Sequence, residues 1–305
     1  IWFWEHRENL IVSLNFFYSA IGHSKQSLHQ YLERQLKELE MFGNIEAIIW
    51  QIQKRHPIMS LRYMYELIKP EGLGRDKFIT YCKSLRLLNT PKFKPIRTTD
   101  SSGVKRFPNL IINLKLDRVN QVWSSDITYY QISEEVYYIT FIIDNYSRLI
   151  VGWCVSDGLK TEQTTLCALK LAVKFRKGID LSGMIFHSDG GSQYYANVFL
   201  KYTEKEGLIN SMCEYAYENG KAERVNGIIK NNYLRPWGCS SKEELIKNVD
   251  RACANYNNEK PHKALNMLSP ANFEIKCLLL NQQTRPKVTE SFMAINSQTG
   301  HRAPV

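Results

Sequence analysis

The sequence predicts a mixed α/β domain preceded by an all-helical region. Three observations carry this. Residues 119–275 contain runs rich in β-branched and aromatic residues, VWSSDITYYQI, VYYITFIIDNYS and LIVGWCVSD, which then give way to helices alternating with short apolar strands. Residues 1–88 instead place apolar residues at helical spacing. Between these regions, residues 89–118 are interrupted by Pro91, Pro95, Pro108 and the run TTDSSG, which reads as a basic linker.

Each element follows from local chemistry. In the N-terminal helical segment, 1–43, Ser24 is placed to cap a helix. In 44–88, NIEAIIWQIQKR aligns Ile45, Ile48, Ile49 and Ile52 on one face, and Pro57 ends it. Ser60 can cap MSLRYMYELIK, Gly72 and Gly74 break the chain, and RDKFITYCKSLRLL forms a third helix. A tight turn before a basic last helix fits a helix-turn-helix DNA-binding module, with Arg75, Lys77, Lys83 and Arg86 as its DNA contacts. A plain helical bundle fits the periodicity nearly as well. In 119–275, three antiparallel strands precede the helix TEQTTLCALKLAVKFRKG, which starts near Thr161 or Thr164 and stops at Gly178. GMIFHSD is a buried strand, YANVFLKYTEKEG a helix, LINSM a strand and KAERVNGIIKNNYL a helix. SKEELIKNVDRACANYNN is a further helix capped by Ser240 or Ser241, and 276–305 reads as a C-terminal tail.

Composition narrows the function. Hydrophobic residues make up 44% of the 305, enough for a sizeable core and too many for wholesale disorder. The net charge is +10, which favours polyanionic partners. Thirteen basic residues against four acids between Lys54 and Arg106 hold +9 of it, so the excess sits in one segment. A merely solvated basic face would look the same. None of the seven cysteines forms CxxC or pairs with a nearby His at zinc spacing, so reduced thiols are expected. No apolar run approaches the length of a membrane helix, and the opening IWFWEHRENL lacks the pattern of a signal peptide, which points to a cytoplasmic protein. The first residue is not Met, as in a fragment or the downstream part of a longer product.

Three acids stand out by position. Asp126 falls within or at the end of the first core strand, Asp189 ends GMIFHSD, and Glu223 sits in the first turn of a helix. A strand-borne Asp is a poor strand former and costly to bury alone. Converging carboxylates repel unless a cation neutralises them, and oxygen-only ligands suit Mg²⁺ or Mn²⁺. Taken singly, each acid reads equally as a turn, cap or helix-start residue. Asp144 and Asp157 also lie near strand ends, and His187 beside Asp189 reads as structural.

The surrounding words decide between these readings. WSSDITYY, HSDGGSQYY and YENGKAERVNGIIKNNYL resemble the three acid-bearing motifs of the DDE transposases. The resemblance is closest to the integrase-like catalytic protein of the bacterial "insertion sequence three" group. DNYSRLIVGW and YNNEKPHKALNMLSPANF agree with it, as does the helical region at 44–88. It implies a ribonuclease H-like mixed five-stranded sheet with flanking helices at 119–275. The implied reaction is metal-dependent cleavage of transposon ends and strand transfer into target DNA. Asp126, Asp189 and Glu223 would be catalytic and would hold two Mg²⁺ or Mn²⁺ ions. Lys230, Gln193 and Tyr194 would contact DNA, Ser192 would share that role, Asn219 would shape the loop before the helix, and Pro261 and His262 would close the fold.

The implied partners are double-stranded DNA at transposon ends and target, and further copies of the chain. An upstream partner protein or fusion stays open, and the implied location is nucleoid-associated. Three departures stand out. Thirty-three residues separate Asp189 from Glu223 where the family has 35, and Gly190 and Gly220 replace a common Arg and Ala. They leave open an inactive remnant, or a DNA-binding regulator retaining only the basic helical module.

Overall fold

The computed structural model describes residues 6, 8, 13–20, 22, 24–87, 107–213 and 216–289. The linker expected at 89–118 lies outside the described residues up to 106, and the tail does so from 290 onward.

The N-terminal region is helical: α1 (Leu14–Ala20), α2 (Lys25–Arg55), α3 (Leu61–Ile68) and α4 (Arg75–Ser84). Ser24 and Ser60 accept the backbone N–H of Ser27 and Tyr63, as N-caps do. The expected division at 43/44 is not a break, because α2 runs through it. A mid-helix Gly such as Gly43 weakens a helix by about 1 kcal/mol but does not stop it. Ile45, Ile49 and Ile52 of α2 pack with Met64, Leu73, Phe78, Cys82 and Leu87 into a small separate core. The chain reverses between α3 and α4 through Lys69 (φ 45°) and Gly72 (φ 71°).

The core is a five-stranded sheet built from β2 (Val122–Ile132), β3 (Glu135–Asp144), β4 (Ile150–Ser156), β5 (Ile185–Ser188) and β6 (Ile209–Met212). Its spatial order is β4-β3-β2-β5-β6; β2, β3 and β4 pair antiparallel, and β5 and β6 continue the sheet parallel to β2. This is the mixed sheet that the resemblance implies. α5 (Thr165–Phe175) and α6 (Asn197–Lys205) cover one face with Trp123, Ile142 and Phe186. α7 (Gly220–Ile229) and α8 (Lys242–Asn258) cover the other with Tyr130, Ile132, Ile139 and Phe141. Period-2 alternation along β2 sends even-numbered residues toward α7 and odd-numbered ones toward α5. α7 continues through a π-helical turn, Lys230–Leu234, and a last turn, Arg235–Trp237. Ser241, not Ser240, caps α8 by accepting the N–H of Glu244.

The expected tail is attached at its start. α9 (Pro270–Leu278) packs Phe273 and Cys277 against Ile111, Leu116, Val122 and Tyr146. Beyond it, β7 (Val288–Thr289) pairs with β1 (Lys115–Leu116). Such pairings across some 170 residues leave no local pattern. Arg176 donates to both Glu274 oxygens at 2.8 and 2.6 Å, a nearly buried bidentate pair that locks α5 to α9. The expectation of seven reduced thiols is corrected at one pair, since Cys154 on β4 and Cys167 on α5 form a disulfide with Cα atoms 6.1 Å apart. Strand and helix lie so close there that periodicity could not reveal it.

The helical region is bonded to the core. His56 Nδ1 lies 2.8 Å from the Tyr233 hydroxyl, and His56 Nε2 lies 3.1 Å from Glu259. Trp237 Nε1 and Arg251 donate to the carbonyl of Lys54, and Asn255 donates to that of Arg55. α2 thereby ends on the outer surface of α8 and the π turn.

Gly152 sets the spacing of β4 and α5. A Cβ there would meet the Ala168 carbonyl oxygen at 2.5 Å and Ala172 Cβ at 2.7 Å. Gly152→Ala is expected to destabilise the protein by about 1–3 kcal/mol through overpacking. Urea unfolding measures it, and an unchanged midpoint would show that α5 moves aside freely.

Candidate active site

Strand register brings two acids together. In the parallel pairing of β2 with β5, Ser124 is opposite His187 and Ser125 opposite Ser188. One step further along both strands stand Asp126 and Asp189. Adjacent parallel strands in register point equivalent side chains to the same face. For Asp126 that face is the one covered by α7, and Asn226 of α7 donates to its Oδ2 at 2.8 Å.

α7 presents a row at helical spacing. Glu223 lies in its first turn, Asn226 three residues on, and Lys230 two turns on. Lys230 Nζ donates to Thr128 Oγ1 at 3.0 Å and lies 4.8 Å from the centre of the Tyr129 ring. Lys230 therefore lies along β2, two residues past Asp126, with its ammonium already engaged. Glu223 is exposed at the mouth, while the two aspartates are half-buried below it.

The floor beneath the aspartates is polar, and Ser125 is its hub. Ser125 donates to the Phe141 carbonyl and lies 2.9 Å from the Tyr194 hydroxyl. Asn219 donates to the Ser125 carbonyl at 2.9 Å, pinning the chain ahead of α7 to the strand that carries Asp126. Asp189 Oδ1 accepts the Gly191 N–H at 3.1 Å, and a Cβ on Gly191 would lie 3.0 Å from that oxygen. His187, with no exposed surface, lies 3.0 Å from Ser211 Oγ; burial pushes its imidazole down to about 4, so it is neutral and structural.

Electrostatically the site is strained. Burial, then the charges of Asp189 and Glu223, push the Asp126 carboxyl well above its ordinary range. Burial also raises Asp189, against the opposing Gly191 N–H. Burial and the charge of Asp189 raise Glu223. The Tyr194 phenol rises through burial and the two aspartates. Three oxygen donors that discourage one another's ionisation suit a hard divalent cation in chemistry. As placed, no group of three His, Cys, Asp or Glu side chains among the described residues stands close enough to hold a metal ion.

The other sequence candidates separate. Tyr194, expected to contact DNA, is only 4% exposed and turned under the site by its hydroxyl bond, so it supports Asp126 from beneath. Gln193 is half-buried and donates to the Leu159 carbonyl. Arg75, Lys77, Lys83 and Arg86 all lie on the surface, but Arg75 pairs with Asp76 and Lys77 with Glu38. Asp144 accepts three backbone N–H groups, from Asn120, Tyr146 and Ser147, and is a turn residue. Asp157 is exposed and paired with Lys242. Sequence reasoning missed Asn226, Ser125 and Thr128. Only Asn226 left a signal, three residues from Glu223 on one helix face.

Residues 117–217 match a family described as Integrase core domain, and residues 209–270 match a second with the same description. The chain is 30% identical over 272 residues to the insertion element IS600 uncharacterized 31 kDa protein of Shigella sonnei, covering 87% of this chain and 96% of that one. It is 29% identical over 230 residues to the transposase for IS629 of Shigella sonnei, covering 72% and 75%. It is 28% identical over 197 residues to transposase InsF for insertion sequence IS3fB of Escherichia coli, covering 63% and 67%. Among solved structures, the HTLV-2 integrase catalytic core domain in complex with magnesium is similar, with a TM-score of 0.43 and 18% identity over 52% of this chain and 97% of that one.

The strain has a measurable sign. Asp126 is held above its ordinary value of 3.8, so from about pH 4 upward the unfolded chain releases that proton more readily than the folded one. The acid's contribution to stability is therefore complete below that value and is lost as pH rises. In chelator-treated buffer at pH 7, Asp126→Asn is expected to melt higher than wild type, with the gap closing toward pH 4. A lower melting temperature for the variant at pH 7 would mean that the carboxylate is stabilised by its neighbours instead.

Proposed function

Because this chain belongs to the bacterial insertion-sequence transposases that carry an integrase core domain, we propose that it cuts the ends of its element and joins them to target DNA through Asp126, Asp189 and Glu223. The observation that carries the reading is the register of β2 and β5, which sets Asp126 and Asp189 side by side under the helix that bears Glu223. A likeness in sequence to the IS629 transposase over 72% of the chain supports the DNA substrate.

The residues of the chain divide the work. Asp126, Asp189 and Glu223 would hold divalent cations, Mg²⁺ or Mn²⁺, two when fully loaded. Bound there, the metal supplies neutralising charge and polarises the phosphodiester and the attacking oxygen. Asn226 and the Ile127 N–H orient Asp126, each donating to one of its carboxylate oxygens. Asn219 and Tyr194 hold the backbone and hydroxyl of Ser125, so the strand cannot twist Asp126 away. Glu223 stands at the mouth on the first turn of a helix, able to move inward by a side-chain rotation without disturbing the sheet. Lys230, two residues along β2 from Asp126, places a cation where the DNA backbone would leave the site. The chemistry is in-line displacement, first by water and then by the freed 3′-hydroxyl, and it depends on positioning and charge neutralisation more than on covalent catalysis. The exposed basic residues of α4, Arg75, Lys77 and Lys83, with Arg86 just past its end, would grip DNA as a helix-turn-helix, and copies of the chain would pair on the two ends.

The test uses purified full-length protein, DNA carrying the element's two ends, and Mg²⁺ or Mn²⁺. End cleavage and strand joining are expected to require the metal and to fall about 100- to 1000-fold in Asp189→Asn and Glu223→Gln. A fully active Asp189→Asn would remove the triad from the mechanism. Hybrid-directed RNA cleavage in place of DNA joining would assign the sheet to a nuclease.

A further inference from the structure

A cavity of about 790 Å³ lies at the seam between the helical region and the core, within the size range of small-molecule and nucleotide sites. Arg148, Lys221, Arg224, Lys260 and Lys263 line it. They come from the turn after β3, from α7 and from the segment following α8. Among the described residues, no Asp or Glu lines it.

The cations crowd one another. Burial, then the charge of Arg224, push the Lys260 ammonium down to about 8. Burial, then Lys260, Arg148 and Arg224, push His262 down to about 3, and its Nε2 is buried without a hydrogen-bond partner. Arg148 is held in left-handed backbone at φ 65°, a conformation that costs a non-glycine residue about 1–3 kcal/mol. An anion of several acceptor oxygens would offset this crowding, and a phosphate offers them in the geometry that an Arg fork matches.

The cavity is preformed, because the bonds from His56, Lys54 and Arg55 to Tyr233, Glu259, Trp237, Arg251 and Asn255 fix both of its walls. It also borders the candidate active site. Glu223 and Arg224 are consecutive on α7, and the helix that turns Glu223 toward the aspartates turns Arg224 into the cavity. A helix with its side chains is about 10–12 Å across, so the two places lie within a few nucleotides of each other along a strand.

We propose that this cavity binds a phosphodiester of the DNA backbone, gripping the strand at the seam between the helical module and the catalytic sheet. The proposal rests on the reading of the chain as a DNA transposase and adds to it a second contact that the catalytic acids do not make.

The test is binding of a fluorescein-labelled duplex, without divalent metal, across a salt series. Arg224→Gln/Lys260→Gln is expected to bind about tenfold more weakly and to lose about two units of the log–log salt slope. Lys263→Gln, on the exposed rim where folding does not depend on it, is expected to lose about one unit. Arg224→Lys is expected to retain most of the affinity. Equal affinity and slope in the double variant and Lys263→Gln would overturn the proposal while leaving the transposase reading intact. Inorganic phosphate that raises the wild-type melting temperature, with duplex binding unchanged in the variants, would assign the cavity to a free anion and overturn it as well. A wild-type protein that binds no duplex would defeat both.

Discussion

Two carboxylates cannot stand side by side in a half-buried crevice without cost, since each raises the free energy of ionising the other. The register of β2 and β5 nevertheless puts Asp126 and Asp189 in that relation, and much of the surrounding structure holds it there. Parallel pairing makes the two backbones advance together, so neither acid can slip without breaking the hydrogen bonds of the sheet. Ser125, one residue before Asp126, is held from three directions: it donates to Phe141, meets the Tyr194 hydroxyl, and accepts from Asn219 at its carbonyl. The centre of the sheet is thus held firmly where the two aspartates sit. Glu223, by contrast, is exposed and sits on a helix.

That division of labour explains what the sequence made legible. Asp126 in VWSSDITYYQI and Asp189 at the end of GMIFHSD were conspicuous because Asp is a poor strand residue. Glu223 was conspicuous because its helix begins at a motif. The strands and helices around them followed from period-2 and helical patterns, and the serine caps at 24, 60 and 241 formed as capping chemistry dictates. Tyr194 was misread because two adjacent tyrosines follow Gln193, and nothing local says which turns inward. The disulfide between β4 and α5, the β1–β7 pair and the bidentate Arg176–Glu274 contact depend on which elements become neighbours. Periodicity carries no such information.

The shortened stretch before Glu223 bears on the same point. Thirty-three residues separate Asp189 from Glu223, and the shortfall lies in CEYAY, ahead of α7. Helix orientation depends on what the helix packs against rather than on the length of the loop that enters it. Ala222, Val225 and Ile229 of α7 are buried against Phe141 and Ile143 of β3, and Asn226 reaches Asp126. Rotating α7 enough to remove Glu223 from the site would expose those residues and break that hydrogen bond. The loop can lose two residues while the helix keeps its face to the sheet.

The seam shows how the same helix serves two purposes. α7 buries one stripe in the core, turns Glu223 toward the aspartates and directs Lys221 and Arg224 the other way, beneath α3. A charged helix face normally stays in water, because crowded cations are costly to desolvate. Here it is bordered, with Arg224 and Lys263 still exposed, by a module attached through Tyr233 at the π turn, Trp237 in the turn after it and Glu259 at the end of α8. Those contacts bring Tyr63 to 5.0 Å from the Lys260 ammonium. Partly buried cations, as Arg148, Lys221 and Lys260 are, interact more strongly with an anion than the same cations on an open surface. The docking of the helical region therefore bears on the core: it makes the basic face beside Glu223 one wall of a cavity.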